Sequence, residues 1–300
     1  MTLGCESGWI EAQSICDDVA ITLREVPTVK YRVLGSTGLK VSILGFGGIP
    51  IQRVSPKEAV AVVKRALDLG VNLIHTSVTY GDSAVKIGQV LAERRNECIV
   101  AVKVSGQMAH EAEARLRESL TALQTDHIEI AELPVNAAAF PQVMGPNGAY
   151  TAFEKAKQAG VIDHIGITSH DVGFLTEAIT STAFSNLVVP FNYAANTARE
   201  TLLPLAAEQD MGVIAMKTLG RGGLPNASQA LRYVWNHDVD TAIVGMNRLS
   251  ELEENITTAN DPQPLSEAEE RTLQKIAAEI VNEGRLSSSG AVSGTTRIAR

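Results

Sequence analysis

VSILGFGG (residues 41–48) runs into SPKEAVAVVKRALDLG (residues 55–70), a short apolar run followed by a longer amphipathic one. The first is almost continuously apolar, as a strand covered on both faces must be. In the second, apolar residues recur at helical spacing, and the run ends on Gly70, a natural helix stop.

The same alternation continues along the chain. NLIHTS (72–77) precedes DSAVKIGQVLAERR, CIVAVKVS (98–105) precedes HEAEARLRESLTALQ, and HIEIAELP (127–134) precedes AYTAFEKAKQAG. HIGITS (164–169), NLVVPFN (186–192), VIAMKTLG (213–220) and TAIVGM (241–246) are each followed by a helical stretch, the last being SELEENITTA. Eight strand-then-helix units match a (β/α)8 TIM barrel, whose site lies at the C-terminal ends of its strands. A doubly wound open sheet is the alternative, but it usually opens on a GxGxxG turn. GFGG followed by Ile49-Pro50 does not fit that turn.

Ahead of the first unit, KYRVLGSTGLKVSIL reads as a β-hairpin turning at Ser36-Thr37-Gly38, placed to plug the barrel's lower end. A further helix is expected from Ser266. The expected organisation is an N-terminal appendage over residues 1–27, one barrel domain over 28–283, and a disordered Ser/Gly-rich tail over 284–300.

The chain has 300 residues, 45% hydrophobic and 20% charged, with net charge -8. That is an ordinary globular composition, and its acidic balance argues against a nucleic-acid partner. Cys5, Cys16 and Cys98 show neither metal-ligand spacing nor a disulfide framework, so no metal site is expected and a reducing, cytoplasmic setting is. No segment approaches the about 20 apolar residues of a membrane span. Nothing in the sequence sets an oligomeric state.

YRVLGSTGLKVSILGFGG, GVNLIHTSVTYGDS, HIGITSH and GMNRLSELEEN, in that order between Tyr31 and Asn260, resemble the aldo-keto reductase superfamily. Within it they are most similar to a bacterial branch with a C-terminal iron–sulfur module, although the residues after Glu283 contain no cysteine. The resemblance implies a (β/α)8 barrel binding NADP(H) and a catalytic set of Asp, Tyr, Lys and His. Tyr80 in VTYG and Lys103 in AVKVS match the acid and the lysine that lowers its pKa. His75 occupies the aspartate's position and Pro134 the histidine's, so the set is half kept.

The remaining candidates come from strand geometry. Lys103 sits in an apolar strand, where an unpaired charge is expensive. Glu132 in IAELP is equally anomalous, and alternation lets it face the barrel interior. Glu132 is therefore expected to pair with Lys103, as a relocated counter-charge. His75 beside Tyr80 and Lys103 suits proton transfer. Each has a structural counterpart: packing for Tyr80, snorkelling for Lys103, a helix-facing register for Glu132, and a backbone-bonded core position for His75.

For the cofactor, the resemblance implies Thr168 and Ser169 at the carboxamide, Met216 against the nicotinamide, and Glu254 and Asn255 at the adenine. Gly47 and Gly48 close the first strand, and Lys217, Leu219 and Gly220 lie in a glycine-containing turn whose backbone amides suit a pyrophosphate. Arg248, at the start of the last barrel helix, suits a 2′-phosphate. The apolar loop VNAAAFPQVMGPNGAY (135–150) implies a moderately hydrophobic small-molecule substrate. The implied activity is NADP(H)-dependent carbonyl or alcohol chemistry. The alternatives are a non-redox lyase, isomerase or dehydratase in the same pocket, or a nucleotide-binding pseudoenzyme.

Overall fold

A computed structural model describes residues 29–180 and 184–294 of the chain. Strands β1 (Tyr31–Val33) and β2 (Lys40–Ser42) form an antiparallel hairpin. Eight parallel strands then close into a barrel: β3 (Leu44–Gly47), β4 (Leu73–Thr76), β5 (Ile99–Lys103), β6 (Ile128–Pro134), β7 (Ile162–Thr168), β8 (Asn186–Pro190), β9 (Gly212–Met216) and β10 (Thr241–Gly245). Helices α1 (Pro56–Asp68), α2 (Ser83–Arg94), α3 (Ala109–Leu123), α4 (Phe140–Val143), α5 (Ala149–Gln158), α6 (Val172–Ala178), α7 (Leu202–Glu208), α8 (Ala227–Trp235) and α9 (Leu249–Asn260) follow the strands in turn. Helix α4 is one turn inside the long loop after β6, and α10 (Glu267–Asn282) is the extra helix. All eight strand-then-helix units expected from the sequence are present.

Local sequence explains the helix starts. Ser55 accepts from the Glu58 N–H while Glu58 reaches back to the Ser55 N–H, and Pro56 stands in the first turn of α1. Ser266 and Glu269 repeat the device at α10, and Glu269 also receives Arg232 of α8, which docks the extra helix.

Two apolar layers result. Leu73, Ala101, Ile130, Val188, Ile214 and Ile243 fill the barrel interior, with Leu34 of the hairpin closing it from below. The larger layer lies between strands and helices. The hairpin is tied down by Arg32, whose guanidinium donates to the Val239 and Trp235 carbonyls, and Trp235 in turn donates to Ile43 O.

Gly35 and Gly38 both adopt positive φ in this hairpin, at 45° and 72°. A Cβ on Gly35 would lie 2.2 Å from the Gly212 backbone nitrogen, whereas one on Gly38 would meet nothing within 4 Å. Gly38→Ala should therefore lose about 1 kcal/mol, the cost of the backbone conformation alone. Gly35→Ala should lose more than about 2 kcal/mol, because strain is joined by a collision with β9. Urea-unfolding midpoints check this, and equal losses would show that the plug is not seated on the barrel floor.

The N-terminal appendage expected over residues 1–27 lies outside the described residues. The tail expectation is corrected for residues 284–294, which fold back onto the barrel: Leu286 bridges to Val292, and Val292 is buried against Leu224 and Ala230. Composition misled because this segment is held largely through its own peptide groups, which accept from Lys217 and Asn192 of the barrel, and through Val292 and Leu286.

Candidate active site

On β4, β5 and β6, the residue two beyond the interior apolar position is ionisable. His75 follows Leu73, Lys103 follows Ala101 and Glu132 follows Ile130, all at the C-terminal half of their strands. The register makes Lys103 and Glu132 direct neighbours on β5 and β6, and pairs His75 with Ala101. Glu132 faces inward, with no solvent exposure.

Its partner is not the expected one. Glu132 Oε2 lies 2.9 Å from His75 Nε2, forming a buried pair across the small Ala101 methyl. A carboxylate can only accept, so with Glu132 ionised the proton of this contact is on Nε2. Lys103 lines a cavity instead, and its ammonium has no carboxylate partner among the described residues. The aspartate's absence on β4 is thus answered by an imidazole–carboxylate pair, not by a relocated counter-ion for the lysine.

Tyr80 lies in the turn after β4, its N–H bonded to Ser77 O, and its ring centroid is 6.4 Å from that of His75. Ser77 Oγ donates to Lys103 O at 2.8 Å, which ties the Tyr80 turn to β5. The phenol therefore stands over His75 on the β4 side. The amine lines a cavity of about 650 Å³ on the β5–β7 side.

That cavity's wall is more polar than loop 135–150 suggests. The loop contributes Val135 and Ala139 but also Asn136 and Gln142, and Ser105, Gln107, Glu111, Thr168, Ser169, His170 and Asp171 share the wall with Lys103, Met108 and Pro134. Thr168 Oγ1 is buried without a hydrogen-bond partner among the described residues, while Ser169 Oγ accepts from the Asp171 N–H.

The mouth beyond β7 and β9 gathers positive charge. Lys217 Nζ is 2.9 Å from His170 Nε2 and donates to Ser289 O at 2.7 Å. Burial, reinforced by Arg221 and Lys103, lowers Lys217 to a pKa of about 8. Burial and the same three cations (Lys217, Lys103, Arg221) lower His170 to about 4, so it is a neutral acceptor at neutral pH. His170 and Arg221 escaped the sequence reading, although HIGITSH and the Arg221-Gly-Gly turn contained the signal: ionisable groups directly after strand ends.

The other expected cofactor residues fall around this mouth. Gly47 ends β3, and the Gly48 N–H donates to His75 O. Met216 closes the interior layer at the top of β9. Leu219 and Gly220 follow in the turn, but the N–H groups of Gly220, Gly222 and Gly223 already bond to carbonyls of the same turn, so a pyrophosphate grip by these glycine amides is corrected. Side-chain cations are what this turn offers an anion. Asn255 is buried on α9, and Glu254 beside it is exposed. Arg248 is exposed and donates to Glu251 in the first turn of α9, which offsets its position against the helix dipole.

Comparison with known proteins agrees with this architecture. Residues 43–229 match the model of the aldo/keto reductase family. L-galactose dehydrogenase of Arabidopsis thaliana is 27% identical, over 83% of this chain and 94% of its own. An aldo-keto reductase from Bacillus halodurans in its holo form superposes with a TM-score of 0.72 at 24% identity, covering 83% of this chain and 96% of that one. One from Klebsiella pneumoniae, in complex with NADPH, gives 0.71 at 20% identity, covering 83% and 95%. The two solved structures are likenesses of fold. No helix among the described residues is long and apolar enough to cross a membrane.

Proposed function

The chain belongs to the aldo/keto reductase family, and on that premise we propose that it is an NADP(H)-dependent oxidoreductase interconverting a small polar alcohol and its carbonyl compound. The observation that carries this reading is the knot of cations at the barrel mouth. Lys217 Nζ stands 2.9 Å from His170 Nε2, Lys103 lines the same cavity as His170, and the charges of Lys103 and Arg221 both bear on Lys217. Like charges so assembled favour an anionic ligand of the phosphate class, and the related Klebsiella protein was crystallised with NADPH.

In this reading Lys217 and Arg221 hold the pyrophosphate, with Leu219 and Gly220 in the same turn. Arg248, Glu254 and Asn255 receive the adenosine end. The orphaned Thr168 Oγ1, with Ser169, meets the carboxamide, and Met216, Gly47 and Gly48 bound the ring site. When bound, the reduced nicotinamide supplies hydride to the carbonyl carbon. Tyr80 gives its phenolic proton to the carbonyl oxygen. Lys103, whose strand is tied to the Tyr80 turn through Ser77 Oγ, supplies the positive charge that would stabilise the phenolate. His75, oriented by Glu132 through Nε2–H, stands beside the Tyr80 ring, where an imidazolium protonated also at Nδ1 would return the proton to the phenolate. The hydrogen-bonding wall of Ser105, Gln107, Asn136 and Gln142 suits a hydroxylated substrate, as does the similarity to an L-galactose dehydrogenase. The buried His75–Glu132 pair also favours a second reading, acid–base chemistry without redox, as in an isomerase or lyase.

The pH dependence of NADPH affinity tests the cation assignment. Free Lys217 is protonated below about pH 8 and loses its charge as pH rises through that value. A bound phosphate restores the higher pKa. Affinity should thus be level with respect to Lys217 below about pH 8 and fall by up to about tenfold per unit above it. A fluorescence titration that stays flat from about pH 7 to about pH 10 would remove Lys217 from the site.

A further inference from the structure

Residues 285–294 form a small hairpin that lies over the turn just assigned to the pyrophosphate. The Gly290 N–H donates to Ser287 O, the Ser287 N–H donates to Ala291 O, and Gly290 adopts φ 79°. Hydrogen bonds fasten this hairpin to the mouth. The Val292 N–H donates to Gly220 O at 3.0 Å. Asn192 Nδ2 donates to Gly290 O at 3.2 Å. Lys217 Nζ donates to Ser289 O at 2.7 Å.

Glycine at 220 and 223 is explained by this packing. A Cβ on Gly223 would lie 2.1 Å from Val292 O, and one on Gly220 would lie 3.0 Å from Val292 Cγ2. The turn is therefore shaped to receive the chain's own C-terminal segment, and the ammonium that a phosphate needs is held by a peptide carbonyl.

We propose that residues 285–294 are an autoinhibitory strap: the Ser289 carbonyl stands in for a phosphate oxygen on Lys217, and the strap lifts when the dinucleotide binds. The inference rests on the reading that this mouth holds NADP(H). A neutral carbonyl is a weaker partner for an ammonium than a phosphate oxygen, so the exchange favours the ligand. The anchor is light enough to release. Val292 is the buried apolar side chain of the hairpin, in the cluster with Leu224, Ala230 and Leu273, and Leu286 packs against the same cluster half-buried.

Hydrogen exchange of the full-length protein tests the strap directly. The Val292 amide, protected by Gly220 O, should exchange about tenfold faster when saturating NADPH lifts the strap. Slower or unchanged exchange alongside NADPH quenching would overturn the proposal, since the strap would then close on the ligand or ignore it. Val292→Glu provides a second reading, because a charge among Leu224, Ala230 and Leu273 unseats the hairpin without touching Lys217. It should tighten NADPH binding about tenfold, by removing the closed state from competition. A chain ending at residue 284 should behave like the variant. Equal or weaker binding in both would contradict the strap, while no NADPH binding by any form, wild type included, would instead overturn the cofactor reading beneath it.

Discussion

Tyr80→Phe lowers the turnover of carbonyl reduction by about 10²–10⁴-fold, the range expected for loss of a positioned general acid. The substitution removes one oxygen and leaves the ring, so the tilted contact with His75 at 6.4 Å is retained. Tyr80 is half-buried in a turn fixed by its own backbone, through Ser77 O and the Ser83 N–H. Neither contact involves the phenol. Unfolding and NADPH affinity should consequently match wild type, and the loss should fall on kcat. A variant that turns over at the wild-type rate would remove Tyr80 as the acid and leave His75 as the group to test.

Glu132→Ala has the largest expected effect on stability. It strands His75, 4% exposed, opposite a void inside the barrel. Removing one partner of a buried pair typically costs about 3–5 kcal/mol. The pair is not a net stabiliser in its own right, because Glu132 Oε1 is buried without a hydrogen-bond partner among the described residues. Joint replacement of His75 and Glu132 by leucine should therefore recover most of the loss, since both desolvation penalties then vanish. Urea unfolding reads both outcomes. A loss below about 1 kcal/mol for the single variant would mean that His75 and Glu132 are not coupled in solution. Catalysis should separate from stability, with the double variant folded and slow.

The fold was legible because its signal is repeated and local. Each strand, from β3 to β10, is a short apolar run, and each is followed by an amphipathic stretch whose spacing leaves one reading. The hairpin plug was legible for the same reason. At the site, alternation predicts that Glu132 faces inward, as it does, but not which partner it takes. Adjacent register positions favoured Lys103, but a lysine stem reaches past its neighbour, while a glutamate is long enough to cross Ala101 to His75. No pattern within one strand encodes that choice, which is set by the size of the residue on the strand between. His170, Lys217 and Ser289 meet across sequence separations of 47 and 72 residues, so only closure of the barrel brings them together. The tail was illegible for a related reason. Its hold on the barrel runs through peptide groups, which every sequence possesses, and through glycines that the turn alone seemed to explain.

Hydride transfer is the claim on which the functional account turns, and reduced-nicotinamide absorbance reads it most directly. Purified full-length protein mixed with NADPH and a panel of hydroxylated aldehydes should oxidise the cofactor in step with formation of alcohol, one equivalent each, and Tyr80→Phe should abolish both. Carbonyl consumption with the absorbance unchanged would contradict the account and assign the His75–Glu132 pair to acid–base chemistry without redox.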